Sequence, residues 1–129
     1  MSDKPSFFEN FEAALAKLIE FESLYDGSEI HQAGMIQAFE FTFEQCWKAA
    51  QKKAGVEGLA LASPRKVFEW AMANHWISTT AENIWLQMLS DRNLTSHTYR
   101  ARTAQEVTTH ILTTYITEFK LILKHMKNS

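Results

Sequence analysis

Between residues 7 and 25 the apolar side chains fall at alternating intervals of four and three: Phe7, Phe11, Ala14, Leu18, Phe21 and Tyr25. Intervals of three and four collect side chains on one face of a helix, whereas a strand collects them at intervals of two. Phe8, Leu15 and Ile19 widen the stripe, as a helix facing a core requires. The spacing predicts a helix from Ser6 to Tyr25, stopped at Asp26-Gly27. Ile36, Phe39, Phe43, Cys46 or Trp47, and Ala50 repeat the period. They predict a second helix from Glu29 to Ala54, with Gly55 just past its end. Residues Gly55 to Ala62 read as a short loop.

Further starts are marked by capping chemistry. Ser63 can accept from the first amides of a helix, and Pro64 has no amide to leave unpaired, so a short helix from Arg65 to Asn74 follows. Thr79-x-x-Glu82 has the form of a capping box and opens a helix through Trp85, Met88 and Leu89. Thr103-x-x-Glu106 has the same form and opens a last helix reaching Lys127. With only 4 Gly and 2 Pro, the chain lacks the turn residues that an all-β fold uses repeatedly. At 129 residues it supports one core. The expected fold is all-α: a single domain over residues 1–129, built as an antiparallel up-and-down bundle of four main helices plus a short one.

Charge and cysteine content narrow the function classes. The net charge is −2, so bulk basicity does not draw this chain to nucleic acid, and any such contact needs a local patch. The one cysteine, Cys46, excludes an intrachain disulfide framework. No basic segment followed by an apolar one opens the chain, and no apolar stretch is long enough to span a bilayer. The expectation is a cytoplasmic protein without membrane contact.

The run DRNLTSHTYRAR, from Asp91 to Arg102, carries the sharpest chemistry. Histidine titrates near neutral pH and serves as acid or base. Arginine presents a fixed fork of donors to phosphate oxygens. Arg92 and His97 are five positions apart, which on a continuous helix separates them by about 140° of rotation. Convergence therefore predicts that the helix ends between them, where Asn93, Thr95, Ser96 and Thr98 are weak helix formers. Arg100 and Arg102 make the following segment locally basic.

Arg92-Asn93-Leu94-Thr95-Ser96-His97 resembles the Arg-x4-6-His motif of HEPN domains. Tyr99 extends it to Arg-x4-His-x-Tyr, the form found in small HepT-like HEPN proteins paired with minimal nucleotidyltransferases, also called nucleotidyltransferase substrate-binding proteins. The expected helical bundle agrees with that family's fold, so the resemblance spans essentially the whole chain. It implies a homodimer with facing motifs and a separately encoded minimal nucleotidyltransferase as partner. It also implies a metal-independent endoribonuclease toxin, with Arg92 and His97 catalytic and with no cofactor or metal. Nucleotidylation of Tyr99 by the partner would neutralise it, and Asn93 and Arg100 would join Tyr99 in binding RNA or nucleotide. The alternative function is a non-catalytic subunit that binds substrate or nucleotide for a two-component nucleotidyltransferase.

Other features read as structural. Trp47 and Trp85 lie on apolar helical faces, while Trp70 and Trp76 flank a short helix and could stack on bases. No Glu-x-x-His occurs, which argues against a di-metal carboxylate bundle. His31, His75, His110 and His125 are scattered and read as surface or satisfied helix residues. Cys46 reads as a small core residue. Phe41 and Ile116 fall outside the expected faces and suggest a second apolar surface for a partner.

Overall fold

The computed structural model describes residues 5–97 and 101–128, with side chains described for 5–93 and 103–128. The fold is all-α, with no strand among the described residues. The helices are α1 (Phe7–Leu24), α2 (Glu29–Lys53), α3 (Pro64–Ala73), α4 (Glu82–His97), α5 (Ala101–His110) and α6 (Ile116–Lys127). A π turn, Ile111–Tyr115, joins α5 to α6 without a break in the helical run. Taken as one rod, α5–π–α6 joins α1, α2 and α4 as the fourth long helix, beside the short α3.

Local chemistry sets the boundaries. Ser6 caps α1, its hydroxyl accepting from the Glu9 amide at 3.1 Å while the Glu9 carboxylate accepts from the Ser6 amide at 3.4 Å. Ser28 caps α2 and Ser63 caps α3, where Pro64 takes the first position. After α2 the chain turns at Gly55, whose φ of 63° suits glycine. The expected loop contains a 3-10 turn, Glu57–Ala60. There Gly58 lies directly against the Gln51 carbonyl, leaving no room for a side chain.

Two expected caps are corrected. Ser78, not Thr79, accepts from the Thr80 amide and opens a 3-10 turn (Thr79–Ala81) that leads into α4. Helix α5 begins at Ala101, so Thr103 lies inside it and does not cap it. In both places the pattern marked a start near the true one but named the wrong capping residue.

α1 and α2, linked by residues 25–28, pack along each other. α2 also meets α3, α4, α5 and α6, so it is the central rod. The buried residues form one cluster around Phe11, Phe39, Phe43, Trp85 and Phe119. Phe39 stacks on Tyr115 at 5.3 Å between ring centres, and Phe11 meets Phe119 edge-on at 6.0 Å. Trp85 is buried and its indole N–H donates to Glu118 at 3.0 Å. Trp47 is half-buried and donates to Glu44, also at 3.0 Å. Cys46 is buried, and burial pushes its thiol pKa up, which fits a core residue. Ile116 is buried in the core, so it belongs to no second surface, whereas Phe41 is exposed. Among the described residues no helix is long and apolar enough to cross a membrane.

Candidate functional site

The last turns of α4 carry two adjacent charged residues that face different neighbours. Successive residues on a helix point about 100° apart. Asp91 turns into the protein and is 3% exposed. Arg92 turns toward α2, where its guanidinium pairs with Glu44. The same guanidinium lies over the Phe43 ring, its Cζ 5.9 Å from the ring centre. Glu44 spans two partners, since its other oxygen accepts from Trp47. The Arg92 side chain stays 34% exposed, so an anion can approach it, but in competition with the Glu44 carboxylate. Arg92 also donates to the Asn93 side chain at 3.4 Å, and Asn93 is exposed.

The expectation that the helix ends between Arg92 and His97 is corrected: α4 continues through His97. The two positions therefore stand about 140° apart around a continuous helix. Helix propensities differ among ordinary residues by only a few tenths of a kcal/mol each. The packing of Trp85, Met88 and Asp91 outweighs the weak tendencies of Asn93, Thr95 and Ser96. The His97 side chain lies outside the described residues, as do Thr98, Tyr99 and Arg100 and the side chain of Arg102.

Asp91 is the centre of a polar network whose members are spread along the sequence from Gln87 to Tyr115. Its Oδ1 accepts from the Gln87 amide at 2.9 Å. Its Oδ2 meets both His110 Nδ1 at 2.7 Å and the Tyr115 hydroxyl at 2.5 Å. A carboxylate taken from water this completely requires such partners. Burial and the neighbouring carboxylate push the Tyr115 phenol pKa far above its ordinary value, so the hydroxyl is the donor. His110 and Tyr115, like Arg92 and His97, are five positions apart. They converge because the π turn lies between them, and i→i+5 winding replaces the α-helical spacing. The signal available in sequence was an acid beside Arg92 on an otherwise apolar face; no local pattern named its partners.

A groove of about 530 Å³ runs between α3 and α4. Phe68, Met72, Trp85, Leu86 and Leu89 form its apolar lining, with Arg65, Glu69, His75 and Glu82 among the polar members. Leu89 precedes Arg92 and Asn93 by one helical turn, so the groove leads toward the motif along α4. Trp70 and Trp76, the two ambiguous tryptophans, pack edge-on against each other at 5.0 Å. Among the described residues no three His, Cys, Asp or Glu side chains group as a metal site.

No curated protein matches the chain. It is similar to the crystal structure of ttk003001694 from Thermus Thermophilus, with 35% identity and a TM-score of 0.81 over 91% of this chain and 98% of that one. Residues 6–128 match the family described as nucleotidyltransferase substrate binding protein like. That match takes in every described helix and the whole Arg92–Tyr99 run, and the chain therefore belongs to this family.

Proposed function

We propose that this chain works in the cytoplasm with a separately encoded minimal nucleotidyltransferase, as a metal-independent endoribonuclease toxin switched off by nucleotidylation of Tyr99. The observation that carries this reading is the family match over residues 6–128, with Arg92-x4-His97-x-Tyr99 inside it. In the cleavage step an RNA 2′-hydroxyl attacks its own phosphorus and the bond to the 5′-oxygen breaks. One histidine accepts the 2′ proton and another supplies a proton to the departing oxygen. Arg92 holds the phosphate oxygens as charge builds on them. With one motif histidine per chain, a homodimer that brings two His97 side chains together supplies both roles. Asn93 and Arg100 contribute further contacts to RNA.

Purified chain incubated with RNA tests the proposal. Cleavage is expected to persist in EDTA and to be lost in His97→Ala and in Arg92→Ala, with melting temperatures near that of the wild type. Cleavage that needs a divalent cation overturns the metal-free mechanism. Tyr99→Phe is expected to keep cleavage and to lose the acid-stable AMP adduct that the partner forms on the tyrosine oxygen with ATP.

A second reading, a non-catalytic subunit that binds substrate or nucleotide for the nucleotidyltransferase, is favoured by the groove between α3 and α4. Its size is that of a small-ligand site, and its lining ends at Leu89, one helical turn before Arg92. The pairing of Arg92 with Glu44 also fits a cation that binds an anion moderately. The two readings part on whether the chain alone cuts RNA.

A further inference from the structure

The Asp91–His110–Tyr115 cluster takes no part in the cleavage step, yet its hydrogen bonds fix one histidine in a reactive form. Tyr115 is a donor, as its raised pKa requires, so Asp91 Oδ2 is an acceptor. Asp91 Oδ1 is likewise an acceptor, from Gln87. With the carboxylate accepting at both oxygens, His110 Nδ1 meets it at 2.7 Å only as an N–H donor. In the neutral ring the lone pair then lies on Nε2. The His110 side chain is 38% exposed, while that of Asp91 is 4% exposed. The ring lines a surface depression of about 320 Å³ with Gln105, Glu106 and Thr109. A buried carboxylate behind an exposed imidazole fixes the tautomer and the orientation of the ring.

We propose that His110 Nε2 is a second nucleotidyl acceptor, taking the group from a nucleoside triphosphate in the active site of the partner nucleotidyltransferase. The inference rests on the partnership proposed above. The Nε2 lone pair attacks the α-phosphorus, an N–P bond forms, and the bond from that phosphorus to the bridging oxygen breaks. Pyrophosphate leaves with the electron pair. The Nδ1 proton stays in its hydrogen bond, and the Asp91 carboxylate balances the charge that the ring gains. Asp91 is a positioning residue for this step, and Tyr115 and Gln87 hold Asp91.

The chemistry of the linkage separates this site from Tyr99. An N–P bond to histidine hydrolyses in mild acid, whereas a phosphodiester on a tyrosine oxygen survives. The Tyr99→Phe chain is incubated with its minimal nucleotidyltransferase and ATP, and the intact mass is read before and after acid. The expected result is an AMP adduct that acid removes and that is lost in Tyr99→Phe/His110→Gln. In parallel, wild-type chain alone is treated with phosphoramidate, a small phosphoryl donor, and peptides are mapped. His110 is expected to be phosphorylated ahead of His75 and His125, and Asp91→Asn to lose that lead. An acid-stable adduct on wild-type chain with none on Tyr99→Phe overturns the His110 site and leaves the proposed function standing. No adduct on either chain overturns both. Phosphorylation by phosphoramidate that does not favour His110 overturns the assignment of an exposed Nε2 lone pair.

Discussion

A carboxylate as deeply buried as Asp91 exchanges its water for protein donors, and three reach it here. Hydrogen bonds to a charged group contribute about 1.5–3 kcal/mol each, and a buried group left without a partner costs more than its bond was worth. The Tyr115 phenol has the pH consequence that is simplest to measure. Its folded pKa lies above the ordinary value of 10.0, so the folded state keeps its proton where the unfolded chain loses it. The stability from this group is complete below pH 10.0 and falls as the pH rises past it. Tyr115→Phe is expected to cost about 1.5–3 kcal/mol at neutral pH, read by urea unfolding, and to flatten the alkaline fall. An alkaline limb of unchanged steepness in Tyr115→Phe would place that fall in other groups. Arg92 presents the opposite case, a partly exposed cation held by Glu44, which had to be found 48 positions upstream.

At the scale of elements, the helices were legible wherever apolar side chains recur at three and four. The predicted spans of α1 and α2 differ from the observed ones by one residue at each shifted end. Ser63-Pro64 was legible because cap and first position stand side by side. The run Ser78-Thr79-Thr80 was not, because three adjacent hydroxyls compete for one cap and only the backbone path decides among them. Ser78→Ala is therefore expected to lower stability by about 1 kcal/mol in thermal unfolding, and Thr79→Ala by distinctly less. Equal effects would show that both hydroxyls cap. The continuation of α4 through His97 was not legible either, since small propensities yielded to packing. The π turn is further from local pattern still. It accompanies the joint hold of His110 and Tyr115 on Asp91, a pairing made across helices.

For the whole molecule, the core is one cluster, and Phe39 lies at its centre, in ring contact with Phe43, Tyr115 and Phe119. Phe39→Ala is expected to destabilise the chain by about 3–5 kcal/mol by chemical denaturation, because three aromatic neighbours lose a common partner. A loss near 1 kcal/mol would mean that these rings close over the space. The fold class was readable from periodicity, and the family from the motif. The Glu44–Arg92 pair and the Asp91 network were not, because each joins positions that only tertiary packing brings together. The π turn also bears on how the bundle breathes. α6 is anchored on α1 and α2, whereas α5 leans on α2 and α4. A long helix with a widened turn at its middle is continuous in space but divided in cooperativity. Hydrogen exchange is expected to show two levels of protection along one rod, meeting at Ile111–Tyr115, and a single level along its whole length would show that the widened turn does not divide it.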